Sequence, residues 1–179
     1  QLTEFALQQN LPVVTTLMAR GAIPDSHPLA LGMPGMHGTY TASTSMQKAD
    51  LLIAIGARFD DRVTGDPTMF APEAKIIHVD VDPAEIGKIR KADIPIVGDA
   101  KAVLMQLIER GRERLGQDEA PRRADWFATI RGWQADFPLA YDQNPDGPIQ
   151  QQYVISELAR HIGPDGIVVA GVGQHQMWT

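Results

Sequence analysis

Short apolar runs alternate with stretches of helical periodicity along most of this chain. Four runs end in turn residues: 11–17 (LPVVTTL), Leu51–Ile55 (LLIAI), 75–81 (KIIHVDV) and 93–97 (DIPIV). None alternates cleanly between apolar and polar positions, so each is expected to be a strand covered on both faces, as in a parallel sheet. Helical patterns lie between them, at Leu2–Gln9 and at 41–48 before the second strand. Asp82-Pro83-Ala84-Glu85 carries a helix-start signal, with Asp as cap, Pro at the first helical position and Glu three residues after the cap. Asp99 is placed to cap a further helix that puts Val103, Leu104, Leu107 and Ile108 on one face and ends at Gly116. Strands alternating with helices predict an α/β fold, a doubly wound parallel sheet.

The pattern changes after Gly116. Residues 117–123 are charged and contain Pro121, which predicts a linker or exposed turn. Trp126, Ile130, Trp133 and Phe137 then recur at helical spacing, and this stripe is expected to pack on the domain rather than to form a cofactor box. Residues 137–149 hold three prolines and little periodicity, as a connecting loop would. A helix over 151–161, a tight turn at Gly163-Pro164-Asp165-Gly166 and a strand at 167–170 lead into GVGQHQMW at 171–178. That order resembles the opening of a second α/β domain. The chain opens on a helix where a doubly wound domain usually opens on a strand, so a fragment truncated at both ends is expected.

Composition narrows the function classes. At 179 residues and 44% hydrophobic content the chain has material for one core and part of another. Twenty-two acidic residues against 16 basic ones give a net charge of −6, which disfavours non-specific binding to nucleic acid or anionic membrane. The absence of cysteine excludes disulfides, thiolate metal sites and a cysteine nucleophile. No apolar run is long enough to span a bilayer and no signal peptide is visible, so a cytoplasmic protein is expected.

The chemistry is expected at the strand exits, because ligands of open α/β sheets bind beyond the carboxyl ends of the strands. The first run leads into Thr15-Thr16-Leu17-Met18 and the second into GARFDDRVTG at 56–65. Asp80 and Asp82 stand at the third exit, Gly98-Asp99-Ala100 at the fourth, and GMPGMHG at 32–38 precedes the second strand. Gly56 permits close approach to the backbone, and Arg58 and Arg62 can each fork onto phosphate oxygens. Asp80 suits ribose hydroxyls, and Met18, Met33 and Met36 offer soft contact to a flat ring. Together these suggest a dinucleotide. Each residue also has a plainer role: Arg58 and Arg62 with Asp60 and Asp61 as a salt-bridged surface loop, Asp82 and Asp99 as helix caps, Met33 and Met36 as core filler. His37 and His175 have no ligand partner at metal-binding spacing, and Asp60 and Asp61 would point apart on extended backbone, so no metal site is expected. The glycines at 32–38 fit neither a G-x-G-x-x-G nor a P-loop pattern, and no G-x-S-x-G elbow occurs. The residues alone reach a nucleotide-binding α/β domain.

GMPGMHG, GARFDDRVTG and GVGQHQMW, in this order and at these separations, resemble the catalytic large subunit of the acetolactate synthases, also called acetohydroxyacid synthases, over essentially the whole chain. Members of that thiamine-diphosphate enzyme family have three α/β domains, with FAD on the middle one and thiamine diphosphate held by the outer two across a dimer interface. The resemblance implies that residues 1–140 are most of a Rossmann-like FAD-binding domain lacking its first strand. Residues 141–179 would be a linker and the first helix and strand of the C-terminal, diphosphate-binding domain. The implied reaction decarboxylates pyruvate and adds the two-carbon unit to pyruvate or 2-oxobutyrate in branched-chain amino-acid biosynthesis, with FAD taking no net redox part. A homodimer or higher homo-oligomer and a small regulatory subunit are the implied partners.

Carried over by position, the FAD contacts implied are Thr16, Leu17 and Met18; Gly35, Met36 and His37; Gly56, Ala57, Arg58, Asp60, Arg62 and Val63; Asp80, Val81 and Glu85; and Gly98, Asp99 and Ala100. Asp80 stands where some relatives have Glu, and Pro34 where Leu is common. Val172, Gly173, Gln174 and His175 resemble contacts to thiamine diphosphate, and Gln176 and Met177 resemble residues facing the flavin. The glutamate that activates the thiamine ring and the Gly-Asp-Gly…Asn signature that holds Mg2+ lie outside these 179 residues. No catalytic or metal-binding residue is therefore assigned, and the isolated chain is expected to be inactive. Two other readings stay open: a stand-alone FAD- or nucleotide-binding module without catalysis, and another thiamine-diphosphate carboligase or oxidase.

Overall fold

The computed structural model describes residues 1–115, 123–163 and 166–179. These fall into two compact units, Gln1–Phe137 and Pro138–Thr179. In the first, β1 (Leu51–Ile55), β2 (Lys75–Asp80) and β3 (Ile94–Val97) form a parallel sheet in the order β1-β2-β3. The register sets Ala54 beside His78 and Val79 beside Ile96. Pro95, which has no N–H to donate, is tolerated because β3 lies at the sheet edge.

The apolar runs are continuous because both faces of β1 are covered. Ile53 and Ile55 pack with Phe5 of α1 (Leu2–Gln9) and with Leu104 and Ile108 of α4 (Ala100–Leu115). Leu52 and Ala54 pack on the other side with Ile76, Phe59 and Phe70, and with Met46 of α2 (Tyr40–Lys48). Each such aliphatic or aromatic side chain contributes about 1.5–3 kcal/mol when fully buried, so these two clusters carry the fold. Thr39 caps α2 by accepting from the Ala42 N–H at 3.0 Å, and Asp99 caps α4 by accepting from the Ala102 N–H at 2.9 Å. In α5 (Ala124–Asp136) the aromatic stripe packs inward, with Ile130 buried against Leu31 and Ala42. The Trp126 and Trp133 rings meet edge to face, 5.6 Å apart, over this contact.

Four sequence expectations are corrected. Residues 11–17 do not form a regular strand; they make a single parallel bridge, Val13 with Ala30. Pro12 has no N–H, and Thr16 turns the chain into a 3-10 turn at Leu17–Ala19, which leaves too short an extended stretch for a ladder. No helix starts at Asp82. Its carboxylate accepts from the Ala84 N–H at 2.8 Å, but Gly87 takes a φ of +73°, and the segment stays a series of turns. Asp61 is not extended, because α3 (Asp61–Thr64) begins there and only its cap, Asp60, keeps extended backbone. Residues 167–170 form no strand, since their backbone has no partner among the described residues, and Ile167 and Val169 lie almost fully exposed. The expected helix end at Gly116, most of the 117–123 linker, and Pro164 and Asp165 of the expected turn lie outside the described residues.

The second unit holds α6 (Gln151–Ile162) and α7 (Gln174–Trp178). Its proline-rich loop is ordered by Gln143, whose Oε1 accepts from the Gln150 N–H at 2.9 Å and whose Nε2 donates to the Asn144 carbonyl at 2.8 Å. Among the described residues no helix is long and apolar enough to cross a membrane.

Candidate functional site

Parallel strands held in register place their carboxyl ends side by side. The Gly56 N–H donates to the Val79 carbonyl at 2.8 Å, and the Gly98 N–H donates to the Asp80 carbonyl at 2.9 Å. The exits at 56–58, 80–81 and 98–100 therefore form one row. Two further loops join it. Thr15, buried just before Thr16, donates its N–H to the Gly32 carbonyl at 3.0 Å, and Met36 donates its N–H to the Arg62 carbonyl at 2.9 Å. Gly35 makes this second approach possible: at a φ of +92°, a Cβ there would lie 2.4 Å from the Arg62 carbonyl oxygen. The Gly35 N–H also donates to Ser43 Oγ at 3.1 Å, which anchors the loop on α2. Ser43 was not singled out from sequence, because a serine on a helix carries no signal of what it will hold.

A cavity of about 600 Å³ opens beneath this rim, between residues 11–16 and β1. Of the implied contacts, Thr16, Gly56, Ala57, Arg58 and Val63 line it, while its lower walls are apolar and include Leu11, Val13 and Ile53. Leu17, Met18, Gly35, Met36, His37, Asp60 and Arg62 lie outside its lining, as do Asp80, Val81, Glu85 and 98–100. Of these, 80–81 and 98–100 stand in the row of strand exits, and Met36 lies against the Arg62 carbonyl. Met18 is 94% exposed and Met36 64%.

The charges sort themselves by partner. Arg58 is exposed and has no ion pair or hydrogen bond among the described residues. Arg62 pairs with Asp61 at 3.7 Å, but both side chains are mostly exposed, so this contact holds Arg62 only weakly. The Asp60 carboxylate accepts from the Arg62 N–H at 3.1 Å and serves as the cap of α3. The salt-bridged-loop reading thus applies to Arg62 at most. Asp80 Oδ1 accepts from the Asp82 N–H at 2.9 Å, Glu85 pairs with Lys88 at 2.8 Å, and Asp99 is engaged as the α4 cap. At Gly56, where φ is +60°, a Cβ would meet nothing within 4 Å, so the backbone is open to an approaching group. An unpaired guanidinium beside open backbone and exposed methionines suits an elongated anion with a flat ring better than a small molecule buried in the cavity.

His78 is a site residue that sequence reasoning passed over. It is 1% exposed on β2, and its Nε2 lies 3.1 Å from the Ala57 carbonyl oxygen. Its ring meets Phe59 edge to face, with centroids 5.2 Å apart. One polar residue inside KIIHVD was the available signal, but nothing in sequence says which backbone group such a side chain reaches.

In the second unit, Val172, Gly173, Gln174, His175, Gln176 and Met177 cover the start of α7. The His175 ring lies across Gly173, where a Cβ would come within 2.8 Å of it. Residues 166–179 contain no Asp or Glu, so they do not fit a magnesium ion, which prefers oxygen ligands.

A family model described as thiamine pyrophosphate enzyme, central domain, matches residues 1–107. An acetolactate synthase of Mycobacterium bovis is 57% identical over the whole chain, which covers 29% of that relative. The acetolactate synthase large subunit of Corynebacterium glutamicum is 53% identical over the whole chain, covering 28% of it. For the acetolactate synthase isozyme 3 large subunit of Escherichia coli the identity is 44%, again over the whole chain and 31% of the relative. The chain spans less than a third of the length of these curated relatives. It belongs to the thiamine pyrophosphate enzyme family, whose central domain it carries.

Proposed function

We propose that this chain is part of an acetolactate synthase large subunit, and that its row of strand exits binds FAD. The observation that carries the reading is the 57% identity over the whole chain to an acetolactate synthase, joined to an unpaired Arg58 at the β1 exit. In this reading residues 1–140 serve the flavin and residues 141–179 open the domain that takes thiamine diphosphate. Arg58 forks onto the diphosphate, the Gly56 backbone lets it approach, and Met18 and Met36 pack on ring faces. Asp80 keeps one carboxylate oxygen for ribose hydroxyls while the other holds its own turn. Residues 172–175 offer backbone groups and the His175 ring to the second cofactor. Thiamine diphosphate, once bound, supplies the carbanion chemistry for decarboxylation of a 2-oxo acid. The whole enzyme would join the two-carbon unit to pyruvate or 2-oxobutyrate, working as a homo-oligomer with a small regulatory subunit in the cytoplasm. Magnesium would be held by residues outside this segment.

A flavin titration of the intact protein tests the reading. Saturable FAD binding is expected, and Arg58→Ala is expected to weaken it at least tenfold, since a hydrogen bond to a charged group contributes about 1.5–3 kcal/mol. A protein that is folded yet takes up no FAD would rule the flavin site out. Binding unaffected by Arg58→Ala would remove the diphosphate role from Arg58.

A further inference from the structure

The loop after β1 turns sharply at Gly56 and then alternates inward and outward. Ala57 is half-buried, Arg58 is exposed, and Phe59 is 6% exposed. Both inward residues meet one side chain from the neighbouring strand. His78 lies 3.1 Å through Nε2 from the Ala57 carbonyl oxygen, and its ring packs edge-on against Phe59. A carbonyl oxygen only accepts, so Nε2 carries the proton and donates. Nδ1 is buried without a hydrogen-bond partner among the described residues. The imidazole therefore spends its polar capacity on one backbone group, the carbonyl immediately before Arg58.

We propose that His78 is a positioning residue for Arg58, holding the residues on either side of it so that the guanidinium faces outward at the β1 exit, toward the anionic part of the bound ligand. The one bond the ring makes falls on the carbonyl that flanks Arg58, whereas an apolar side chain would pack on Phe59 as well without engaging that loop. Losing the bond takes the His78 donor from the Ala57 carbonyl and frees the peptide plane that aims Arg58. Gly56, already at a positive φ, offers little resistance to that rotation. The inference rests on the flavin reading for the identity of the ligand, but its geometry depends on β1, β2 and the loop alone.

The test compares His78→Phe, which keeps the ring packing and removes the donor, with His78→Gln, whose amide nitrogen reaches about as far as Nε2. In the intact protein, His78→Phe is expected to weaken FAD binding about tenfold, and His78→Gln to recover most of that loss. Adding His78→Phe to Arg58→Ala should cost nothing further, because one substitution acts through the other. Without flavin, amide hydrogen exchange over residues 56–60 should quicken in His78→Phe and not in His78→Gln. If His78→Phe does not fold, His78→Asn, whose amide sits nearer Nδ1, takes its place and should bind as weakly as that variant was expected to. Equal affinity in the Gln variant and the donor-less or Asn variant would overturn the proposal, as would losses at 58 and 78 that multiply. Absence of FAD binding in the unsubstituted protein would instead defeat the flavin reading and the inference with it.

Discussion

Gly35 is constrained twice, by its positive φ and by the Arg62 carbonyl that passes where a Cβ would stand. Gly35→Ala therefore strains the backbone and pushes apart the two loops of the rim. We expect a loss of about 2–4 kcal/mol in urea unfolding, with weaker FAD binding in the remaining folded protein. Stability within 0.5 kcal/mol of the parent, roughly the scatter for neutral surface changes, would show that the loops part without cost. Asp66 gives a prediction of another kind. The Thr68 hydroxyl, at 2.7 Å, and then the Thr68 backbone N–H, at 2.9 Å, hold its carboxyl below the ordinary aspartate range. A carboxyl that titrates lower in the folded than in the unfolded chain adds stability above its unfolded pKa, and loses it as pH falls through the depressed value. Thr68→Val should return the Asp66 titration toward the ordinary range, as followed by carboxyl-carbon NMR; an unchanged titration would remove the hydroxyl as the cause. At this scale the sequence showed which residues had unusual chemistry, and not what engaged them. Arg58 and Arg62 look alike in RFDDR, yet only the second meets a carboxylate.

The elements were legible where apolar periodicity and capping agreed. β1 and α1 have the bounds that their apolar patterns predict, and α4 begins at the cap expected at Asp99, whereas the Thr39 cap of α2 emerged only in the structure. Trp126, Ile130 and Trp133 of the predicted stripe fall in α5, packed through Ile130 against Leu31 and Ala42, while Phe137 follows its last residue and is half exposed. Ile130→Ala is expected to cost about 2–5 kcal/mol, because the side chain is nearly fully buried between α2 and the 29–32 segment. Thermal unfolding would show it; a shift of under a degree would mean that α5 docks without contributing to the core. The two missed strands share one cause. Residues 11–17 and 167–170 have strand composition, but a strand exists only where a second backbone accepts its hydrogen bonds, and composition does not supply that partner. The Asp82 signal failed for a local reason, a left-handed glycine five residues on.

Across the molecule, apolar surface is unevenly covered. β1 pairs with β2 along one edge, and no described strand takes the other. In the second unit Val154 and Leu158 of α6, and Ile167, Val169 and Val172 after it, are all exposed. An unpaired strand edge and contiguous exposed aliphatics are routes to association. The 179-residue chain expressed by itself is expected to self-associate with rising concentration, and light scattering coupled to size exclusion would measure it. A monomer at 100 μM, about a hundred times a micromolar dissociation constant, would show that these surfaces are less adhesive than their composition suggests. By itself the sequence determined the α/β class and the parallel sheet. Those follow from local periodicity and from the turn residues that must end each run. Only tertiary structure decided that Gly35 lets two distant loops touch, that Arg58 stands unpaired, and that His78 reaches the Ala57 carbonyl. Those depend on which backbone groups come within 3 Å of one another, and side chains distant in sequence meet only once the sheet has set its register.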